Sequence, residues 1–360
     1  MQRRSFMKKA GLGLAGTAAL AAPAVHAAPT IRWRLASSFP KSMDTMYSTA
    51  EVFARQVHAM SGGKFRISVH PAGELLPAFG VVDGLQNGTV ECSHTAAFYF
   101  TGKDETFALS ASIPFGLNTR QMTAWMHEGN GMKLMREFYK NYNIVNFVMG
   151  NTNAQMGGWY RKELKSLADM QGLKMRIGGL GGKVFERLGV MTQQIPLGEI
   201  YQALEKGTID ASDFIGPHDD FKQGFHKVAQ HYYFPGWWKG SVQEDLYIND
   251  KAFNALPAEY KSMIEAAAAH AHTWQLAAYD GQNPIALRKL VAGGAKLHRF
   301  PREIVDAGFK ESMALYSEIS AKNPNWKKVY DDFSKFRKEQ NMWWKFAESG
   351  FDEYMQSQDL

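Results

Sequence analysis

The chain has 360 residues, of which 45% are hydrophobic, which is enough for two ordinary domains with a substantial core. Its single cysteine, Cys92, excludes an intramolecular disulfide, and the apolar residues around it predict a buried structural thiol. The formal net charge falls from +6 to +2 once the four basic residues of the N-terminal segment described next are removed. A mature chain so near neutrality has no electrostatic surface for nucleic acid or an anionic membrane.

The N-terminal segment has the pattern of an export signal. Arg3-Arg4 opens a basic run, residues 10–22 are small and apolar, and Val25-His26-Ala27 offers a cleavage context. This apolar stretch is too short to cross a hydrocarbon core of about 30 Å as a permanent span. We predict that residues 1–27 are a twin-arginine signal peptide, cleaved near Ala27, which places the mature chain in the periplasm. An uncleaved membrane anchor is the alternative.

The first part of the mature chain alternates strands with helices. Alternating apolar residues predict strands over 31–35 and 65–69, and helical spacing predicts a helix over 46–57 between them. A second helix over 79–86 leads into a third strand, which we expect to cover 90–100. This βαβαβ order is typical of a mostly parallel sheet covered by helices.

One unit of this pattern occurs twice. Residues 84–93 and 203–212 share Leu, Gly, Thr and Ser at equal offsets, and each indicates a helix end that turns at glycine into a strand. The repetition predicts two similar α/β lobes. Ligands of such sheets bind beyond the carboxyl ends of the strands, which fall near 98–100 in the first lobe and 213–217 in the second. Two lobes with facing strand ends would enclose a cleft.

The later part of the chain is aromatic and then helical. Segment 231–238 holds five aromatic residues and a Pro-Gly pair, which argues against a regular strand or helix over its length. It could line a pocket or belong to the core. Pro257 is well placed for the first turn of a long helix over 258–278. Further helices are predicted over 301–321 and 326–356.

The stretch 151–182 places a permanently charged side chain beside a glycine-rich turn. Gln155 lies in a polar, strand-like lead-in that ends at Gly157-Gly158, where backbone segments can approach closely. Apolar and basic residues then alternate over 172–178, which predicts a strand with Arg176 near its end. The guanidinium fork suits the two oxygens of a carboxylate. The Gln155 amide can meet a carbonyl, a hydroxyl or a metal ion.

This stretch resembles the extracytoplasmic solute receptors of TRAP transporters (tripartite ATP-independent periplasmic transporters, the DctP-like family). Within that family it most resembles the receptors for 2-oxo acids such as pyruvate. The matching motifs are Asn151-Thr152, Gln155-Met156-Gly157-Gly158-Trp159, Ala168-Asp169-Met170 and Gly172 to Arg176. The similarity continues from the strand at 33–40 to the aromatic block at 235–238, which covers most of the mature chain.

The resemblance implies an α/β fold like that of type II periplasmic binding proteins. Two similar lobes with mixed, mostly parallel sheets would surround a ligand cleft, with a long spine helix and a helical C-terminus. We assign residues 28–150 and part of 240–360 to lobe I, and residues 151–239 to lobe II. Residues 257–360 would form the mainly helical spine and C-terminal packing, and the helix after Pro257 would be the spine.

The resemblance also implies a ligand site. Gln155 and Arg176 would hold the ligand, and Tyr99 would line the pocket. In the 2-oxo acid receptors a cation bridges to the ligand, so Na⁺ or Ca²⁺ could be part of this site. Gln155, Asp213 and Phe214 stand at positions that would bind it.

Lys239 departs from this pattern, because the 2-oxo acid receptors carry a glutamate there. An ammonium would repel a bound cation, but it could occupy the cation's place. We hypothesise that Lys239, paired with Asp213, contacts the keto or second carboxylate oxygens of the ligand. In the alternative Lys239 points to solvent, and Glu244 could then be a replacement acid.

These features favour a non-catalytic periplasmic receptor that closes on a small carboxylate and delivers it to the TRAP membrane subunits. An exported enzyme acting on a small carboxylate is the alternative, although the sequence has no GxSxG, no HExxH and no cysteine ligand set. A regulatory ligand sensor would share the same cleft.

Two further expectations concern histidines and assembly. His94, His218, His226 and His231 lack the spacing of a metal-binding motif, so we expect none of them to bind a metal. Some relatives dimerise through their C-terminal helices, and Trp343-Trp344 could seed such a homodimer here.

Overall fold

The computed structural model describes residues 30–358, so the predicted signal peptide and its cleavage site lie outside the described residues. The strands of the described part are β1 (Ile31–Ser37), β2 (Phe65–His70), β3 (Cys92–Thr95), β4 (Ile144–Asn151), β5 (Trp159–Tyr160), β6 (Lys174–Arg176), β7 (Met191–Gln193), β8 (Ala211–Ser212), β9 (His231–Phe234), β10 (Gln243–Asn249) and β11 (Lys296–Arg299). Its α-helices are α1 (Asp44–Met60), α2 (Val81–Gln86), α3 (Ala108–Ala111), α4 (Thr119–His127), α5 (Gly131–Tyr139), α6 (Gly179–Arg187), α7 (Ile200–Glu205), α8 (Pro217–Gln223), α9 (Asp250–Asn254), α10 (Ala258–Ala292), α11 (Arg302–Lys322), α12 (Pro324–Phe346) and α13 (Glu348–Gln356).

These strands form two mixed sheets, which we call the sheets of lobe I and lobe II. The lobe I sheet has the order β2-β1-β3-β10-β4, and the lobe II sheet has the order β11-β9-β5-β8-β6-β7. Parallel pairing joins β1 to β2 and β3, β6 to β7 and β8, and β9 to β11, whereas β5 and β10 run antiparallel to their neighbours. The predicted α/β fold with two mixed, mostly parallel sheets is confirmed. The residue limits that we assigned to the lobes stay a prediction.

The repeated unit has the predicted structure in both lobes. Helix α2 leads into β3, and α7 leads into β8. Between helix and strand, Gly88 and Gly207 adopt left-handed backbone angles, with φ of +71° and +70°. A residue with a Cβ is strained in this conformation, which explains why both copies of the unit carry glycine at this point.

The third strand is shorter than predicted. Strand β3 ends at Thr95, and residues 97–100 form a buried 3₁₀ turn instead of continuing the strand. On one side β1 ends at Ser37, which pairs with His94. On the other side the pairing with β10 stops at Asp245, next to an irregularity of β10. Without a ladder partner the backbone bonds locally, and the amide of Tyr99 donates to the carbonyl of Ala96 at 3.1 Å. The turn directs aromatic side chains toward lobe II.

Helix α10 links the two sheets. It begins directly after Pro257 as predicted, but its 35 residues extend well beyond the predicted end at Ala278. It passes through Pro284, which removes one helical hydrogen bond. That loss is tolerated because Asp280, whose carbonyl loses its donor, is exposed to solvent. The helix packs on α1 and β4 in lobe I and on α8 beside lobe II.

The aromatic segment belongs to the core. Our expectation that 231–238 contains no regular strand is wrong for its first half, which forms β9 and ends at the cis Phe234–Pro235 bond. Trp237 stacks on Phe115 and on Phe185, with ring centroids 5.1 Å apart in both pairs. Trp237 therefore packs between the lobes, whereas Tyr232 and Tyr233 pack within lobe II, on Trp159 and Tyr160.

The C-terminal third is helical, as predicted. Helices α11, α12 and α13 follow α10 and β11. The single helix predicted over 326–356 is divided into α12 and α13, because the first of them ends at Phe346. Among the residues the structure describes, no helix combines the length and hydrophobicity needed to cross a membrane. Cys92 is buried, as expected, and its burial raises the pKa of the thiol well above its ordinary value.

Candidate ligand site between the lobes

A narrow cavity with a volume of about 10 Å³ lies between the lobes, at the carboxyl ends of β3, β6 and β8. Its walls come from both lobes and from the segments that join them. The lining residues are Met46, Ala96, Phe98, Tyr99, Gln155, Arg176, Leu197, Phe214, Ile215, Lys239 and Val242. Five of the six predicted site residues are in this set, and the sixth, Asp213, lies directly behind it.

A close backbone approach positions Gln155. The residue lies in the loop between β4 and β5, not in a strand-like segment as we expected. Gly158 has φ of +80°, and a Cβ there would lie 2.3 Å from the carbonyl oxygen of Ser212, so only glycine allows this loop to lie against β8. The amide of Met156 donates to the carbonyl of Ile215 at 3.0 Å and fixes the loop over the strand end.

The Gln155 side chain leaves one polar atom without a partner. Its Nε2 donates to Thr152 Oγ1 at 3.0 Å, and the residue is only 6% exposed. Oε1 is buried and makes no hydrogen bond. An unpaired buried acceptor costs about 1–3 kcal/mol, which indicates that this oxygen is meant to meet a ligand group.

Arg176 is the last residue of β6 and is 1% exposed. Its Nη1 donates to Asp213 Oδ1 at 2.7 Å, and its Nε donates to the carbonyl of Ile195 at 3.1 Å. Nη2 is buried and has no hydrogen-bond partner. The guanidinium is thus fixed by two protein groups while one nitrogen stays free to bind an anion.

Lys239 is buried at the same place. It is 4% exposed, its Nζ forms an ion pair with Asp213 Oδ2, and the same Nζ lies 4.6 Å from the centroid of the Phe98 ring. Burial lowers the pKa of Lys239, whereas the charge of Asp213 raises it. The predicted ion pair is present, and the alternative in which Lys239 points to solvent is wrong.

Tyr99 and Phe214 complete the walls from opposite lobes. Tyr99 is buried in the 3₁₀ turn after β3, and burial raises its pKa to about 12, so the phenol is neutral and can donate a hydrogen bond. Phe214 packs edge-on against Phe225 at 4.7 Å, which holds its backbone beside Asp213.

Glu244 is not a replacement acid for the cavity. It lies in β10 with no exposed surface, accepts from His94 Nε2 at 2.8 Å, and accepts from Gln275 Nε2 at 3.0 Å. These partners occupy the carboxylate, and Glu244 is not among the residues that line the cavity, so our hypothesis that Glu244 replaces an acid there is wrong.

Sequence reasoning missed the apolar part of the cavity wall. Met46 reaches it from α1, Leu197 from the turn after Pro196, and Val242 from the residue before β10. No sequence motif marks these three residues, and periodicity alone does not distinguish an apolar residue that lines a pocket from one that belongs to the core.

The family model for bacterial extracellular solute-binding proteins, family 7 (DctP), matches residues 36–323 of this chain. The chain belongs to this family. It is 42% identical to the monocarboxylate 2-oxoacid-binding periplasmic protein of Nostoc sp. (strain PCC 7120), over 99% of this chain and 100% of that protein. The predicted family membership is therefore confirmed.

Two solved structures show the same fold. A TRAP transporter solute-binding protein from Bordetella bronchiseptica RB50, a dimer with calcium and picolinate in one active site, is 50% identical, with a TM-score of 0.90 over 91% of this chain and 97% of that chain. A TRAP periplasmic solute-binding protein from Pseudoalteromonas atlantica T6c, with bound sodium and pyruvate, is 32% identical, with a TM-score of 0.88 over 92% of this chain and 100% of that chain.

The cations in these neighbours raise the question whether this site fits one. Gln155 Oε1 offers a free oxygen. However, Arg176 and Lys239 each occupy one oxygen of Asp213, so neither oxygen of this carboxylate is free to bind a cation. Na⁺ and Ca²⁺ need several oxygen ligands, and the two fixed positive groups of this cavity repel either ion. With Lys239 charged, the residues of this cavity do not fit Na⁺ or Ca²⁺.

Proposed function

We propose that this protein is a periplasmic receptor that binds a small monocarboxylate, a 2-oxo acid such as pyruvate, and delivers it to the membrane subunits of a TRAP transporter. The observation that carries the proposal is the buried Arg176 guanidinium, whose free Nη2 faces the same cavity as the Lys239 ammonium and the free Gln155 oxygen. The relatives at 42% and 50% identity are also described as solute-binding proteins. We propose no catalysis.

The charges of the cavity support a monoanion. Arg176 and Lys239 bring two positive groups, and Asp213 neutralises one of them. One carboxylate of the ligand would balance the remaining charge, with Arg176 Nη2 as its donor. A second carboxylate would add a buried charge without a partner, which is costly in so narrow a cavity.

In this proposal Lys239 takes the place of the cation. Its ammonium would donate to the keto oxygen of the ligand while staying paired with Asp213. Phe98 lies against the ammonium and limits its movement. The amide of Gln155 and the phenol of Tyr99 would provide the neutral contacts.

Export and assembly are part of the same proposal. We propose that residues 1–27 direct the chain through the twin-arginine route into the periplasm, as the names of its relatives suggest for their own location.

We further propose a homodimer formed through α12 and α13. Trp343, Phe346 and Phe351 on these helices are 58%, 77% and 65% exposed, which leaves an apolar surface suited to a second copy. Light scattering of the purified protein would show whether it is a dimer.

A thermal-shift and calorimetry screen tests the ligand proposal. The mature protein is freed of metal with a chelator and titrated with pyruvate, longer 2-oxo acids, lactate and succinate, each with and without Na⁺ or Ca²⁺. We expect a small 2-oxo acid to raise the Tm equally in all three buffers. If no carboxylate changes the Tm, the proposal that the protein is a carboxylate receptor is wrong. If the response requires a cation, only the proposal that Lys239 takes the place of the cation is wrong.

A further inference from the structure

A second group of side-chain atoms that could bind a metal lies outside the cavity, where helices α1 and α8 meet. Asp44 begins α1, His218 and Asp219 lie in the first turn of α8, and one ligand atom from each of the three residues lies within 4.8 Å of the others. Helix α1 follows a strand of the lobe I sheet, and α8 follows a strand of the lobe II sheet. The group therefore connects elements that belong to different lobes.

The free atoms of this group point to a shared position. Asp219 is 1% exposed and its Oδ1 makes no hydrogen bond, while its Oδ2 accepts from the hydroxyl of Tyr279 in α10 at 2.7 Å. His218 is 8% exposed, and its Nε2 lies 3.4 Å from Asp44 Oδ1 without forming a hydrogen bond. Asp44 Oδ2 is paired with Lys222. Asp219 thus has one oxygen held by the protein and the other without a partner, whereas Asp44, whose side chain is 50% exposed, directs its second oxygen toward His218.

This arrangement has the chemistry of a zinc-type site. Ligand atoms at about 2.0–2.1 Å from a tetrahedral ion lie about 3.3–3.4 Å apart, which matches the 3.4 Å between His218 and Asp44. One imidazole and two carboxylates leave the fourth position open. Ca²⁺ prefers six to eight oxygen ligands, so this small mixed set favours a first-row transition metal.

The hydrogen bond from Tyr279 resembles the outer support that metal ligands usually have, because it fixes the orientation of the Asp219 carboxylate. The backbone amide of His218 is also held, since it donates to Asn283 Oδ1 at 3.0 Å. Both supporting residues lie on α10. Two of the three ligands are therefore fixed against the helix that links the lobes, and only Asp44 comes from lobe I.

Lys222 opposes a cation at this position. Its ammonium is paired with Asp44, and Lys289 adds a second positive charge that acts on His218. The two lysines weaken binding of a metal without blocking the free atoms. The direction of one effect can therefore be predicted: removal of Lys222 should strengthen metal binding.

We propose that Asp44, His218 and Asp219 bind one Zn²⁺ or a similar first-row divalent ion that joins α1 to α8. The site is next to the cavity, since Met46 and Ile215 line the cavity and lie two and three residues from Asp44 and His218. A metal held by both lobes stabilises the arrangement in which they enclose the cavity. By linkage, the metal and the cavity ligand then strengthen each other's binding. This last step depends on the proposed receptor function, whereas binding of the metal does not.

Calorimetry with Zn²⁺ alone tests the site on the full mature chain after treatment with a chelator. We expect one equivalent to bind. His218→Gln and Asp44→Asn should each weaken binding more than tenfold, and Lys222→Gln should tighten it. His58→Gln, which changes an exposed histidine of α1, is the control and should leave binding unchanged. Thermal melting of each variant without metal separates a loss of metal binding from a loss of folding, because His218 is buried.

Cobalt absorption provides a second measurement. Co²⁺ bound by one nitrogen and two oxygens in tetrahedral geometry gives intense visible bands, and these should disappear in His218→Gln. Absence of a stoichiometric Zn²⁺ site, or binding that is the same in His218→Gln and in the wild type, would overturn the proposal. Because the titration contains no carboxylate, its outcome is separate from that of the ligand screen.

Discussion

The two strand ends that face the cavity are built alike but carry different chemistry. Strands β3 and β8 follow the same helix-glycine turn, and each lies inside its sheet with neighbours on both sides. Beyond β3 the chain places the neutral side chains of Phe98 and Tyr99 in a 3₁₀ turn. Beyond β8 it places Asp213, which pairs with Arg176 and Lys239.

This difference shows that the repeated unit and the residues after it have separate roles. The repeat fixes where each strand ends, and the residues just after the repeat decide what that end does. Lobe II holds the charged groups that would fix a carboxylate, and lobe I supplies a neutral wall over them. Substitutions on the lobe II side should therefore affect binding far more than substitutions on the lobe I side.

The largest effect is expected for Arg176→Gln. This change removes the free guanidinium nitrogen and leaves Asp213 paired with Lys239 alone. A charge-assisted hydrogen bond contributes about 1.5–3 kcal/mol, so the Kd for the best 2-oxo acid should rise by about 12–140-fold, measured by calorimetry. The control is Arg302→Gln, because Arg302 has an exposed side chain far from the cavity. Equal affinity in wild type and Arg176→Gln would exclude Arg176 from the site.

Lys239→Glu should convert the site to one that depends on a cation. The new carboxylate would lie beside Asp213 and the free oxygen of Gln155, and together these groups suit Na⁺ or Ca²⁺. In metal-free buffer we expect binding of the 2-oxo acid to be at least about tenfold weaker, and Ca²⁺ should restore it.

Lys239→Met is the matched comparison for this experiment. It removes the ammonium without adding a carboxylate, so its weakened binding should not respond to Ca²⁺. If the cation has no effect on Lys239→Glu either, Lys239 does not stand in the position of a metal ion.

The sequence was sufficient for the scaffold and for the charged half of the site. The repeat at 84–93 and 203–212 identified two lobes because glycine, helix and strand recur at the same offsets. Arg176 could be identified from its strand pattern and motif. The charge change at Lys239 suggested its ion pair with Asp213, since a buried ammonium needs a partner.

The parts that could not be predicted depend on distant contacts. Strand β3 stops at Thr95 because β1 ends at Ser37 and β10 has an irregularity between Glu244 and Asp245, and both depend on other parts of the sheet. Helix α10 continues past Pro284 because the freed carbonyl lies at an exposed residue. Asp44 and His218 are far apart in the sequence, so a test of local spacing between histidines could not bring them together.

Tyr99→Phe tests the neutral side of the comparison and should have a smaller effect. It removes only the phenol hydroxyl from the lobe I wall and keeps the packed ring. A neutral hydrogen bond contributes about 0.5–1.5 kcal/mol, so we expect the Kd for the 2-oxo acid to rise about 2–12-fold. A loss as large as that of Arg176→Gln would contradict the division of roles between the lobes.

The smallest effect concerns a buried carboxylate that has no cation. Asp213 is paired with two positive groups, whereas Asp245 in β10 accepts hydrogen bonds from Ser110 Oγ at 2.9 Å and Gln243 Nε2 at 3.4 Å, both neutral. Burial raises the pKa of Asp245 to about 7. Between about pH 4 and 7 the folded protein therefore holds a proton that the unfolded chain has lost.

Stability from this group is complete below the ordinary pKa of an aspartate and is lost as the pH rises toward 7. Asp245→Asn cannot titrate, so the difference in Tm between wild type and variant should shift in favour of the wild type as the pH falls from 7 to 5. Calorimetric scans should show a change of about 2 °C or more in this difference, and no further change between pH 8 and 9. Asp306→Asn, at an exposed position, should show no such trend. A difference that stays constant from pH 5 to 9 would mean that Asp245 ionises normally, because its hydrogen bonds then compensate for its burial.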